Sequence, residues 1–130
     1  GENVFGYHLA GTYPPSMKSE QTATTPAIDG AAATGQVFLG FYRWLGVESK
    51  RYDHAKILVT RDGVAWELLW ENTTRDIKDQ AWAREKLDVT AWARGNPRFR
   101  IRWTMGTTDN LEEFCGWNLD EVEVYEVVGN

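Results

Sequence analysis

Asp120 lies in the stretch CGWNLDEVEVYE (115–126). In an extended chain Asn118, Asp120, Val122 and Val124 share one side, and Leu119, Glu121, Glu123 and Tyr125 the other. A carboxylate on the side that two valines turn toward a core must find a cationic partner, a metal ion or the open end of the fold. Two more carboxylates, Glu48 and Asp53, flank the turn that follows Trp44. A second set of residues suits different work. Tyr42 and Trp44 project from one side of QVFLGFYRWLG (36–46), Arg100 and Arg102 from the polar side of RFRIRWTMG (98–106), and Trp117 ends the loop TDNLEEFCGW. Rings in such company form a stacking platform for a flat or ring-shaped ligand, with polar side chains to fix its orientation. The competing use of the same rings is packing, under the long N-terminal loop or inside the core.

Other chemistry finds little support. There is no nucleophile elbow, no phosphate-cradling glycine loop and no HExxH. Asp120, Glu121, Glu123 and Glu126 superficially offer the paired acids of a glycosidase, yet Glu121 and Glu123 lie opposite Asp120 and alternate with valines as solvent-facing charges do. Cys115 is the only cysteine and reads as a small buried hydrophobe; His8 and His54 are far apart in sequence.

The elements that must position these groups are strands. QVFLGFYRWLG is apolar on both sides, as a central strand is. HAKILVTRDG (54–63) ends on an Asp-Gly turn signal and Val64–Trp70 returns, which predicts a hairpin. Residues 82–94 predict a strand through Leu87 and Val89 and one tight turn ending at Gly95-Asn96-Pro97. In RFRIRWTMG, Phe99, Ile101, Trp103 and Met105 alternate with Arg98, Arg100, Arg102 and Thr104, too cleanly for a helix. LDEVEVYEVV (119–128) is the last strand, and residues 10–36 hold a long loop plus one short edge strand, which suits Pro26. Many short strands with no long amphipathic helix predict an all-β fold, one antiparallel β-sandwich spanning residues 1–130. Its expected core is Phe41, Ile57, Val59, Leu68, Leu87, Phe99, Ile101, Trp103, Val122 and Val124, with Trp66 and Trp70 also inside.

Composition narrows the partners. A chain of 130 residues can bury a core without staples. A net charge of −5 with no basic tract argues against nucleic acid, and no run of 18 apolar residues marks a membrane span. The abrupt opening on GENVFG suggests a domain cut from a longer precursor.

Four segments then look familiar in order: TTPAIDG (24–30), FYRWLGVESKRYDHAKILVTRDGVAWELLW (41–70), LDVTAWARG (87–95) and RIRWTMGTTDNLEEFCGWNLDEVEV (100–124). They resemble the jelly-roll modules of secreted bacterial enzymes, namely the MAM-like module of immune inhibitor A-type metallopeptidases and related carbohydrate-binding-module-like domains. Leu119, Glu121 and the turn Asp88-Val89-Thr90 depart from the shared pattern. The resemblance covers nearly the whole chain after about Gly11 and implies a jelly roll. It further implies a noncatalytic, secreted module that holds the catalytic domain of its own precursor near a polysaccharide or oligosaccharide. Tyr42, Trp44, Arg100, Arg102 and Trp117 would line that site if their strands share a sheet. It also implies a structural calcium ion near the last strand, held by Asp120 with Asn118, Glu48 or Asp53, since calcium takes six to eight oxygen ligands. A half-buried Arg43 paired with Asp53 or Asp120 would satisfy those charges without metal. The rival functions are a protein-interaction or structural module and, last, a small glycoside hydrolase.

Overall fold

Period-2 patterning governs nearly the whole chain. In a computed structural model that describes residues 4–6, 21–47, 49–50, 53–106 and 116–127, it becomes nine strands and one helical turn. They are β1 (Val4–Gly6), β2 (Gln21–Thr24), β3 (Gln36–Val47), β4 (Ala55–Thr60), β5 (Trp66–Glu71), β6 (Ile77–Lys78), β7 (Ala83–Asp88), α1 (Thr90–Ala93), β8 (Arg100–Met105) and β9 (Gly116–Val127). One sheet runs β1-β9-β3, with β6 and β7 both on the far side of β3; the other runs β2-β8-β4-β5. Every pairing is antiparallel. Apart from the β4–β5 hairpin and the β6–β7 step, each connection carries the chain from one sheet to the other. That alternation is the jelly-roll winding of an antiparallel sandwich.

The residues between the sheets come from alternate positions. Leu39, Phe41, Leu45 and Val47 of β3 and Leu119 of β9 meet Ile57 and Val59 of β4 and Ile101 of β8, all essentially sealed from water. Phe41 stands edge-on to Trp103, centroids 5.7 Å apart. Leu87 and Val124 pack against this core while remaining partly exposed. Two expected core members depart from it. Leu68 pairs with Leu58 on the outside of the second sheet and is 52% exposed. Val122 faces the gap between the sheets beside Ala23 and Trp103, yet the gap is open there and it keeps 41% exposure.

β9 explains the opening carboxylate. Gly40 pairs with Glu123 and Tyr42 with Asp120, so two steps on β3 face three on β9. The extra residue is a bulge, and Glu121 adopts φ 50 within it. The bulge reverses the alternation: Trp117 and Leu119 point inward before it, Val124 after it. Asp120 therefore shares the outer face with Asn118 and not the core face with the valines. Its Oδ1 accepts the Glu121 N–H at 2.9 Å, which satisfies a backbone donor that the bulge takes out of the ladder.

The closing turn fits through glycine. Asp88 Oδ1 accepts the Thr90 N–H, so the expected tight turn begins as the single turn α1. Gly30 lies against its end, donating to Asn96 O (2.7 Å) and accepting from Gly95 N–H (2.9 Å). A Cβ on Gly30 would stand 2.0 Å from the Ala93 carbonyl oxygen. On the far edge, the Glu126 carboxylate accepts the N–H groups of Thr34 (2.7 Å) and Gly35 (2.5 Å), tying the segment before β3 to the end of β9.

Candidate functional site

Outward-facing residues of the five-stranded sheet form rows across β9, β3 and β7. Asn118 lies opposite Trp44, with Trp82 just before β7 beside it; Asp120, Tyr42 and Arg84 make the next row. Glu123, Gly40 and Lys86 follow, then Tyr125, Phe38 and Asp88. Residues directly opposite in an antiparallel ladder have side chains on the same face. Tyr42 and Trp44 are each 36% exposed, and two residues apart on one strand their Cα atoms are about 7 Å apart. Trp82 is 41% exposed and its ring stands at 85° to that of Trp44, centroids 5.9 Å apart.

Gly40 shapes the middle of this face. The Arg84 guanidinium lies over it, close enough that a Cβ there would be 2.3 Å from Nη2. From that position Arg84 reaches Glu123 (Nη2–Oε1 2.8 Å) and covers the Tyr42 ring at 5.4 Å. With both partners well exposed, the ion pair contributes about 1 kcal/mol or less, and its effect is to orient Arg84. Lys86 Nζ sits 4.3 Å from the centre of the Phe38 ring, and Phe38 lies against Tyr125 at 5.9 Å. Asn118 Nδ2 donates to the Trp44 carbonyl (3.2 Å), which fixes its amide. The face thus offers three exposed rings, a positioned cation and the exposed Glu123 carboxylate on one sheet, while Asn118 and Asp120 are buried at its side.

No family model matches the sequence, and no curated protein matches it. A solved structure described as "CBM4 structure and function" superposes at a TM-score of 0.49 with 14% identity, covering 89% of this chain and 81% of that one.

Of the residues expected to bind ligand, only Tyr42 and Trp44 stand on this face. Trp117 is not at a rim. It is 3% exposed, donates from Nε1 to the Thr104 carbonyl at 3.0 Å, and packs edge-on to Trp70 and Phe41. Arg100 and Arg102 are on β8, in the other sheet, so they face away on the opposite side of the sandwich. Trp66, expected inside, lies on that same outer side beneath Arg102. Sequence reasoning missed Trp82, Arg84 and Lys86. Their signal was the alternation in WAREKLD, which puts them on one side and Ala83, Glu85 and Leu87 on the other.

The three expected metal ligands among the described residues, Asn118, Asp120 and Asp53, do not all come together. Asn118 and Asp120 share the outer face. Asp53 is fully buried beyond the end of β3, where its N–H donates to Ser49 O and its carbonyl accepts Asn72 Nδ2. From the Tyr42 row to Val47 is about 17 Å of strand, so Asp53 and Asp120 occupy different places. Glu48 lies outside the described residues. Among the described residues no three His, Cys, Asp or Glu side chains group as a metal site. Arg43 pairs with neither Asp53 nor Asp120. Its Nε reaches Asp79 Oδ2 (3.1 Å) and Glu85 Oε1 (3.5 Å), while Asp79 also accepts the Leu45 N–H.

Proposed function

We propose that this chain is a noncatalytic module that binds a polysaccharide or oligosaccharide on the outer face of its five-stranded sheet. In this reading it is carried by a secreted enzyme and holds that enzyme's catalytic domain near its substrate. The observation that carries the proposal is the exposed pair Tyr42 and Trp44, on one side of one strand, with Trp82, Arg84 and Glu123 around it. Pyranose rings present an apolar face that stacks on such rings and hydroxyls that such polar groups fix. The acids of this face are otherwise engaged, Glu123 by Arg84 and Asp120 by the Glu121 N–H, which supports binding over hydrolysis.

One observation favours a protein-interaction module instead. Trp44 and Trp82 are perpendicular and so do not form a coplanar platform. Affinity electrophoresis against a panel of neutral polysaccharides separates the two readings. Retardation by at least one glycan, weakened about tenfold or more in Trp44→Ala (about 1.4 kcal/mol), supports sugar binding. Failure of every glycan to retard the protein would leave the interaction reading. A structural calcium ion near the last strand is proposed with Asp120 as its anchor and Asn118 beside it, the rest of its shell coming from backbone carbonyls and further oxygen donors such as Glu48.

A further inference from the structure

Arg100 and Arg102 line a second surface, the outer face of the four-stranded sheet. Arg102 lies between Thr24 of β2 and Leu58 of β4, Arg100 lies beside Thr60, and Trp66 and Leu68 of β5 continue these rows. Arg102 Nε donates to Thr24 Oγ1 at 2.9 Å, and its guanidinium carbon is 3.9 Å from the centre of the Trp66 ring. A hydrogen bond and a stacking contact thus hold the guanidinium in place, and among the described residues both terminal nitrogens are left for another partner. Among the described residues neither Arg100 nor Arg102 has a carboxylate partner. The acids nearby are committed elsewhere. Asp62 accepts the N–H groups of Val64 and Ala65 and the Thr60 hydroxyl, Glu67 accepts Trp92 Nε1, and Glu71 lies 3.9 Å from Lys50.

We propose that this surface is a second binding site, for a saccharide carrying carboxylate or sulfate groups. A positioned guanidinium grips such an anion through two parallel N–H donors, which a lysine cannot reproduce. Arg100, two residues along the same strand face and about 7 Å away, receives a second anionic group or a ring oxygen. The exposed Leu68 and the edge of Trp66 supply apolar surface for the sugar ring itself. Arg100 and Arg102, with Lys56 one row further along the same face, fit one or two anionic groups in a chain of net charge −5, whereas a nucleic acid requires an extended cationic footprint. This site is separate from the aromatic face of the other sheet, so either can fail without the other.

The test is affinity electrophoresis of the whole chain in polygalacturonate, fully methyl-esterified polygalacturonate, dextran sulfate and neutral dextran, with double-stranded DNA as a further arm. Wild type is retarded by polygalacturonate, dextran sulfate or both in a way that depends on Arg102, the pattern naming the carboxylate or the sulfate, and any retardation by the two neutral polymers is independent of Arg102. Arg102→Gln weakens that retardation at least tenfold. Arg102→Lys, which keeps the charge and whose melting temperature checks the fold, weakens it severalfold, and exposed Arg100→Gln likewise. Retardation unchanged in Arg102→Gln overturns the proposal. So does retardation lost in Tyr42→Ala/Trp44→Ala but kept in Arg102→Gln, or an equal, Arg102-dependent retardation by DNA.

Discussion

Replacing Trp117 by Phe separates a core tryptophan from a rim tryptophan. The indole is 3% exposed, touches Phe41 and Trp70, and gives its only N–H to the Thr104 carbonyl. Phenylalanine keeps a ring in place and removes the donor, leaving a buried carbonyl short of a partner, which costs about 1–3 kcal/mol. The smaller ring also leaves space, and since Trp→Ala in a core costs about 3–5 kcal/mol, a partial truncation adds about 1 kcal/mol. The expected loss is about 3 kcal/mol. For 130 residues, at about 2.1 cal/mol/K of unfolding entropy per residue, that lowers the melting temperature by about 10 °C. Differential scanning calorimetry at pH 7 reads the shift directly, with Trp44→Phe as the surface comparison, expected within about 2 °C. If Trp117→Phe melts within 2 °C of wild type, the placement of this side chain in the core is wrong and its role at a ligand rim returns.

Three further outcomes follow from the same structure. Glu126 is held below the usual glutamate pKa of 4.5 by the N–H groups of Gly35 and Thr34, so its stabilisation is present above that value and is lost as pH falls through the depressed one. Glu126→Gln should therefore melt lower than wild type at pH 7, with the gap closing well below pH 4.5; a gap constant with pH contradicts the latch. Gly30→Ala places a methyl 2.0 Å from the Ala93 carbonyl oxygen, which backbone must yield to, and should cost about 2–3 kcal/mol in a urea melt, whereas a change under 0.5 kcal/mol would mean the two segments do not touch. For calcium, a melt in chelator should fall below one in millimolar calcium, by about 2.7 kcal/mol if the ion is at roughly a hundred times Kd, and the difference should vanish in Asp120→Ala; identical wild-type melts remove the ion from the account.

The sandwich was legible because its signal is local. Phe99, Ile101 and Trp103 alternate with arginines, and each of the three is buried. What was not legible depends on events between strands. The side that Asp120 takes is set by the bulge at Glu121, and a bulge appears in register with a partner strand, not in the composition of its own. The same reversal put Trp117 inside while its sequence suggested a loop tip. Tyr42 and Arg102 both read correctly as outward-facing, yet alternation along a strand does not say to which sheet the strand belongs. The jelly-roll winding assigns β3 and β8 to different sheets, and so divides one expected site into two faces. Arg84 could be read as outward, but its place over Gly40 requires the pairing of β7 with β3.

The central claim, that the aromatic face of the five-stranded sheet binds sugar, is tested most directly by the seven indole N–H signals in a two-dimensional NMR titration. They would be assigned by single Trp→Phe variants and followed as neutral oligosaccharides of glucose, xylose and mannose are added. The Trp44 and Trp82 signals should move in a saturable way with at least one of these sugars while the buried Trp103 and Trp117 signals stay in place. Saturable shifts at Trp66 with Trp44 and Trp82 unmoved, or no shift with any sugar, would contradict it.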